Sequence, residues 1–151
     1  MANRLVIPGL KNLRDYQIGK RFTAGLVLTG SEIKSVRSRQ VSLSEAYLRP
    51  QENEIYIFNM RIALYKHAYK ASQGNDPKKK RKVLLNRSEI NKIIRELKNK
   101  NSVLIPLQLF ITERGWAKLE IALAQHLRQY QVKEKLKEKE IQKKLRQGDF
   151  D

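Results

Sequence analysis

The sequence contains no cysteine and no long apolar run. Without thiols the chain can form no disulfide, and it has neither a thiol nucleophile nor a thiolate metal site. A membrane-spanning helix needs about 18 or more consecutive apolar residues, and no such stretch is present. We therefore expect a soluble protein of the cytoplasm.

Groups of residues that carry catalysis are scarce as well. The two histidines, His67 and His126, are far apart and have no acidic or cysteine neighbours at zinc-binding spacing. No Ser-His-Asp grouping, phosphate-binding Gly-rich loop or paired carboxylates stand out. We expect a protein that is not an enzyme and that holds neither a metal nor another cofactor.

Acidic residues are also few. Fifteen Asp and Glu face 32 Lys and Arg, which gives a formal net charge of +17. Such an excess predicts a polyanionic partner, although charge alone does not distinguish nucleic acid from anionic membrane or an acidic protein. The densest run follows a loop-like segment at residues 73–77, and its members are expected to hold phosphates. They are Lys78, Lys79, Lys80, Arg81 and Lys82. A solvated loop or a targeting-like basic patch is the alternative.

Apolar and turn-forming residues alternate in a pattern typical of short strands. Strands are predicted at residues 24–28, 54–60, 103–111 and 116–123, with turns at 50–53 and 113–115 and with Pro106 at an edge or a bulge. Residues 31–37 fit a short helix capped by Ser31 but also permit a strand, and a second helix begins near Asn86 or Ser88. The predicted fold is mainly β, a small antiparallel barrel with flanking short helices.

The sequence divides into three parts. Residues 1–14 are predicted to be a flexible lead-in, residues 15–124 the barrel domain, and residues 125–151 a basic tail. The apolar residues of the tail are too few and irregular to bury a face, so we expect it to be disordered when free and helical when bound. Because they do not line one stripe, a membrane-bound tail is disfavoured.

Two kinds of side chain could contact nucleic-acid bases. Aromatic rings could stack on unpaired bases, but rings at strand spacing are more typical of a core. The candidates are Tyr56, Phe58, Tyr65, Tyr69, Phe110, Trp116 and Tyr130. Glu32 could accept hydrogen bonds from guanine or cytosine amino groups, or it could form an ion pair with Lys34 or Arg37.

Three blocks of sequence resemble one known family. They are AGLVLTGSEIKSVR at residues 24–37, DP followed by RKVLLNRSEI up to residue 90, and VLIPLQLF at residues 103–110 with Gly115, Lys118 and Ile121 beyond it. In this order they are similar to the SsrA-binding proteins, the SmpB family, over residues 15–124. The segment 126–133 departs from the family pattern, which has a Gly, an Asp and one further lysine there.

The resemblance implies an oligonucleotide-binding-type β-barrel that binds the transfer-like domain of transfer-messenger RNA and delivers it to stalled bacterial 70S ribosomes for trans-translation. We expect a monomer on one RNA, with no membrane partner. The implied RNA contacts are Glu32, Lys34, Leu84, Asn86 and Lys118 together with the basic run. The tail is implied to enter the vacant messenger channel at the decoding centre, through Tyr130, Lys133, Lys135 and Lys137. A general binder of single-stranded or structured nucleic acid is the alternative.

Overall fold

The computed structural model describes residues 5–9, 13–64, 76–99, 101–127 and 137–143. A short 3-10 turn at Leu13–Asp15 precedes the second strand. The helices are α1 at Gly30–Arg37 and α2 at Arg87–Glu96. The strands are β1 Leu5–Pro8, β2 Tyr16–Leu26, β3 Val41–Ser42, β4 Tyr47–Gln51, β5 Glu54–Phe58, β6 Arg61–Ile62, β7 Arg81–Leu84, β8 Ser102–Ile111 and β9 Ala117–His126. Within the described residues, no helix is long and apolar enough to span a membrane.

The main sheet closes on itself. Its strands follow the order β8-β4-β5-β7-β2-β9, and β9 pairs again with β8. Every pairing is antiparallel. The predicted fold class, an antiparallel barrel with short flanking helices, is confirmed. Closure is thinnest between β4 and β8, which share only the Leu48–Leu104 register pair.

Both predicted turns form hairpins. Glu52 and Asn53 connect β4 to β5 with φ of 53° and 62°, the left-handed conformations that suit a two-residue hairpin turn. Gly115 has φ of 85° in the β8–β9 connection, where its N–H donates to Thr112 O at 2.9 Å. Glycine tolerates this conformation because it has no Cβ.

The barrel interior is filled by alternate residues of the strands. On β2, Phe22, Ala24 and Leu26 point inward and are buried. Ile55 and Ile57 do the same on β5. The two helices add further apolar residues to this core, among them Val36, Ile90 and Ile93.

Two β-bulges bend the long strands. The register of β8 against β9 shifts between Pro106 and Gln108, in agreement with the expectation that Pro106 lies at an edge or a bulge. The register of β2 against β9 shifts between Ile18 and Arg21. Bulges increase local twist, which helps long strands close a small barrel.

The prediction of a flexible lead-in over residues 1–14 is wrong for residues 5–8. These residues form β1, which pairs with β8 from Leu5 opposite Ile111 to Pro8 opposite Gln108. Leu5 and Ile7 alternate into the core, and this short alternation was masked in the sequence by the nearby Pro8 and Gly9. The chain is therefore organised well before Asp15.

Helix α1 confirms the helical alternative for residues 31–37, but its cap is Thr29 and not Ser31. The Thr29 side chain accepts from the Glu32 N–H at 3.2 Å, and Glu32 Oε1 accepts from the Thr29 N–H at 2.9 Å. This reciprocal pair is a capping box. The second helix begins at Arg87 after Asn86 as N-cap, one of the two predicted positions.

The barrel ends slightly later in the chain than expected. Strand β9 runs to His126, two residues beyond the predicted end of the barrel at residue 124. Residues 137–143 of the predicted tail are helical and exposed. Lys and Glu residues have high helix propensity, which favours a helix there.

Candidate nucleic-acid interface

A groove lies on the outer surface where β7, β2 and β9 run side by side. Gly25 on β2 is opposite Leu84 on β7 and Lys118 on β9, so these three residues form a row across the strands. The groove encloses about 610 Å³. Residues named below as the outer groove are Gly25, Val27, Leu84, Arg114, Trp116 and Lys118, which all line it.

Glycine at position 25 keeps this groove open. A Cβ atom built there would lie 3.3 Å from the Leu84 Cβ, closer than ordinary van der Waals contact. Any larger residue would therefore push Leu84 aside. The fold thus brings a glycine, Gly25, into register with two longer side chains, Leu84 and Lys118, across three neighbouring strands.

The outer groove exposes large apolar side chains beside cations. Trp116 is 64% exposed, and Leu84 and Val27 are each 50% exposed. Arg114 and Lys118 line the same groove. Exposed aromatic and aliphatic surface next to cations suits a nucleic acid, because bases stack on the first and phosphates pair with the second.

Trp116 is the residue that the sequence pattern assigned least well. Its place in an apolar-polar alternation at residues 116–123 suggested a core position. In the structure it precedes β9 and lies outside the barrel, next to the turn glycine Gly115. The adjacent turn was the available signal, since residues that flank a hairpin turn are commonly at the surface.

The residues of the basic run 78–82 differ in their exposure to solvent. Lys78 and Lys80 are exposed, whereas Arg81 is buried. The Lys80 Nζ donates to Gln51 Oε1 at 2.7 Å and lies 4.8 Å from the Tyr56 ring centroid. The first three lysines precede β7 and the last two basic residues belong to it, so the run lies beside a loop as predicted.

Lys82 and Lys79 already have acidic neighbours. Lys82 Nζ is 3.8 Å from Glu54 Oε2, and Glu54 also receives a 2.6 Å hydrogen bond from Arg87. Lys79 Nζ is 3.8 Å from Glu32 Oε1. Both lysine side chains remain about 40% exposed, at 41% and 38%, so each can still approach a phosphate.

Arg81 is not available to a phosphate, which corrects its prediction as an RNA contact. Its side chain is only 2% exposed. Its guanidinium donates to Glu32 Oε2 at 2.5 Å, Met60 O at 2.7 Å, Lys79 O at 3.1 Å and Pro77 O at 3.1 Å. Arg81 therefore organises the segment that presents the lysines.

Glu32 is the carboxylate partner of that arginine. Its ion pairs are with Arg81 and Lys79, and not with the predicted Lys34 or Arg37. Burial raises the pKa of Glu32, but hydrogen bonds from the Thr29 N–H and Arg81 and the charges of Arg81 and Lys79 outweigh it and hold the pKa below its ordinary value. The carboxylate is thus ionised and occupied, so its predicted hydrogen bond to a base is unsupported.

The remaining predicted contacts are at the surface. Lys34 is exposed on α1, and Asn86 is exposed at the N-cap of α2. Only Leu84 and Lys118 of the predicted RNA contacts line the outer groove itself. Of the predicted tail residues, Lys137 is exposed in the helical segment, while Tyr130, Lys133 and Lys135 lie outside the described residues.

The sequence and the fold were compared with known proteins. The model of the family described as SmpB protein matches residues 9–148. An SsrA-binding protein of Pseudothermotoga lettingae is 40% identical over 136 residues, which cover 90% of each chain. An SsrA-binding protein of a Sulfurihydrogenibium species is 37% identical over 145 residues, or 96% of this chain and 93% of the relative.

A solved structure has the same fold. It is described as "tmRNA-SmpB: a journey to the center of the bacterial ribosome", and the matching chain has a TM-score of 0.64 at 32% identity. The match covers 82% of this chain and 85% of that one. On these likenesses of sequence and structure, the chain belongs to the SmpB family.

Proposed function

We propose that this protein binds transfer-messenger RNA and carries it to stalled bacterial ribosomes for trans-translation. Curated relatives are named SsrA-binding proteins, and a structural neighbour bears the description "tmRNA-SmpB: a journey to the center of the bacterial ribosome". The formal net charge of +17 suits a partner made of RNA. The proposed role is that of an RNA-binding adaptor of the cytoplasm, without catalysis and without a cofactor.

The outer groove is the proposed site for the transfer-like domain. The observation that carries this assignment is the row of Leu84, Gly25 and Lys118 beside the exposed ring of Trp116. A looped RNA has unstacked bases that can rest on Trp116 and Leu84, while Lys118 and Arg114 neutralise the adjoining phosphates.

The lysines of residues 78–82 extend this site along β7 and the segment that precedes it. Lys78 and Lys80 are the proposed phosphate contacts, with Lys79 and Lys82 contributing in part because each also neighbours a carboxylate. Phosphate contacts fix the position of the RNA, whereas contacts to bases fix its identity. Lys34, in the last turn of α1, and Asn86, at the N-cap of α2, are proposed to touch the RNA on the strength of their exposure.

The division of labour between barrel and tail is likewise proposed. Residues 15–124, with β1 and the end of β9, form the unit that binds RNA as a monomer. Residues from 128 onward reach the messenger channel and decoding centre, through Tyr130, Lys133, Lys135 and Lys137. The exposed helical residues 137–143 support a tail that presents its charges to an RNA surface.

A competition titration tests the proposed RNA partner. The protein is titrated into labelled transfer-like domain at about 0.15 M salt, where the Debye length of about 8 Å screens diffuse attraction. Excess bulk transfer RNA is the competitor. Binding that survives the competitor supports the proposal, and binding that the competitor removes favours a general nucleic-acid binder.

Truncation tests the proposed tail. Removal of residues 128–151 leaves β9 intact and preserves the bond from the Leu127 N–H to Asp15 O. The truncated chain should bind the transfer-like domain with unchanged affinity and fail to support tagging on stalled ribosomes. Tagging by the truncated chain would contradict the proposed role of the tail.

A further inference from the structure

The turn that precedes β9 forms part of the wall of two cavities. It comprises residues 112–116 between β8 and β9, and its Arg114, Gly115 and Trp116 line the outer groove. A second cavity of about 350 Å³ lies against the same turn, with Arg114 and Gly115 again in its lining and Arg37 beside them. A contact made in this second cavity can therefore act on the outer groove through the turn.

Arg37 occupies the space beside the turn glycine. A Cβ atom built on Gly115 would lie 2.6 Å from the Arg37 Nη2 and 3.8 Å from its Cζ. The nitrogen is nearer than the carbon to which it is bonded, so the guanidinium meets the turn with its tip. Glycine at this position thus serves two ends, since it accepts the φ of 85° and it leaves room for the arginine.

Helix α1 presents Arg37 from a fixed support. Arg37 ends the helix one turn after Ile33, so the two side chains share a face. Ile33 lines the outer groove and Arg37 the second cavity, which places this face against both. The helix is held by the fully buried Val36 and by the ion pair of Glu32 with Arg81. Arg37 therefore extends from a rigid element.

The turn itself fixes its shape better than its tilt. The Trp116 N–H donates to Thr112 Oγ1 at 3.1 Å, and the Thr112 N–H donates to Trp116 O at 2.9 Å. These bonds lie within the turn and do not tie it to the rest of the barrel. The Trp116 side chain is 64% exposed, so little packing holds its ring. A contact from outside the turn therefore decides how firmly the ring is held.

The free charge of Arg37 allows two roles. Among the residues that the structure describes, no carboxylate oxygen lies within 4.0 Å of its guanidinium. It could contact a phosphate, or it could support the turn. The geometry favours support, because Nη2 is directed at Gly115 and the residue does not line the outer groove.

We propose that Arg37 is a positioning residue for Trp116, and that its contact with Gly115 holds the turn so that the indole ring lies at the outer groove. This inference rests on the proposed function in so far as Trp116 serves to bind RNA. It adds a residue that acts without touching the RNA. Because α1 also carries Glu32, one short helix supports both the basic run and the aromatic contact.

Tryptophan fluorescence tests the positioning without RNA. Trp116 is the only tryptophan of the chain, so the anisotropy of its emission reports the mobility of this ring. In full-length protein, Arg37→Gln should lower the anisotropy, because the ring gains freedom on the nanosecond timescale. Arg61→Gln removes one charge at an exposed position of β6 and should leave the anisotropy unchanged. An anisotropy that does not respond to Arg37→Gln would overturn the proposal.

A double-mutant cycle tests the consequence for RNA binding. Arg37→Gln should weaken binding of the transfer-like domain by about fivefold, a size usual for coupled neighbours. In the Trp116→Ala background the same change should cost no further affinity, because no ring is left to position. Equal losses in the two backgrounds would show that Arg37 contacts the RNA itself, and the proposal would be wrong.

Salt dependence and folding complete the test. A lost phosphate contact makes the slope of log K against log salt shallower by about 0.7 to 0.9, whereas Arg37→Gln should have the slope of Arg61→Gln. Loss of the barrel in Arg37→Gln, seen by circular dichroism, would show a structural role and overturn the proposal. If the wild-type protein does not bind the transfer-like domain but the anisotropy responds to Arg37, the positioning stands and the proposed partner falls. Binding without that response gives the reverse result.

Discussion

Arg81 and Glu32 join β7 to α1 through a buried ion pair, with Nε to Oε2 at 2.5 Å. The same guanidinium donates hydrogen bonds to three backbone carbonyls, those of Met60, Pro77 and Lys79. The densest basic run of the sequence thus contains one residue that faces inward and builds the surface on which its neighbours lie. Charge density predicted this surface, and the burial of Arg81 separates it from the more exposed lysines of the run.

Replacement of Arg81 should destabilise the barrel. In Arg81→Met, Glu32 keeps its charge in a half-buried place and three carbonyls lose their donor, so we expect a loss of about 3 to 5 kcal/mol in the free energy of unfolding. Lys78→Met, at an exposed position, should change it by about 0.5 kcal/mol or less. Urea titrations followed by circular dichroism measure both, and equal midpoints for the two variants would refute the structural role.

The contribution of Glu32 to the stability of the barrel should be lost at acid pH. Because the pKa of Glu32 is held below its ordinary value of 4.5 in the folded chain, the unfolded chain takes up a proton first as pH falls. The stabilisation is complete above pH 4.5 and is lost as pH falls from there through the lowered folded pKa.

Glu32→Gln removes that contribution. Its free energy of unfolding should be lower than wild type at pH 7, and the difference should shrink as pH falls below 4.5. Chemical unfolding at a series of pH values between 7 and 3 measures the difference. If the difference in the free energy of unfolding stays constant over this range, Glu32 has the same pKa in the folded and the unfolded chain, and the prediction is wrong.

The lysines that flank Arg81 should set the salt dependence of RNA binding. Each phosphate contact contributes about 0.7 to 0.9 to the magnitude of the slope of log K against log salt, as known for single strands and for B-form DNA. The triple variant Lys78→Gln/Lys80→Gln/Lys82→Gln should therefore make this negative slope shallower by roughly 2 to 3. The slope is measured by titrations of the transfer-like domain at salt concentrations between about 0.05 and 0.3 M, a range in which counterion release changes the affinity strongly. An unchanged slope would place the RNA elsewhere.

A side chain at position 25 should close the outer groove. Gly25→Val places atoms against Leu84, whose Cβ is already 3.3 Å from the new Cβ position, so affinity for the transfer-like domain should fall by about tenfold, or 1.4 kcal/mol. Gly30→Val is the control, because nothing lies within 4 Å of a Cβ there. Filter binding compares the two, and equal affinities would exclude contact at the groove floor.

Much of the fold was predictable because its signals are local. The turn at Glu52 and Asn53, the bulge at Pro106 and the glycine turn at Gly115 follow from backbone preferences of those residues. Strand β1 was missed because four alternating residues that end at Pro8 carry little periodic signal. Its order comes from pairing with β8, more than 90 residues away in sequence.

The candidate site was predictable in composition and less so in geometry. Leu84 and Lys118 were found through the resemblance, and the structure places them in one groove. The burial of Arg81 and the exposure of Trp116 depend on which side of a strand or turn each side chain lies, and a shift of one residue in register exchanges the two faces.

The most direct test of the outer groove is the affinity of Trp116→Ala for the transfer-like domain relative to bulk transfer RNA, with Trp116→Phe and Val6→Ala as matched variants. Val6 is exposed on β1 outside the groove, so its loss controls for removal of apolar surface. Stacking on an aromatic ring contributes about 1 to 3 kcal/mol per base, so Trp116→Ala should lower the specific affinity by about 5- to 150-fold, while Trp116→Phe retains most of it. Equal affinities for Trp116→Ala and Val6→Ala would contradict the assignment of this groove to the RNA.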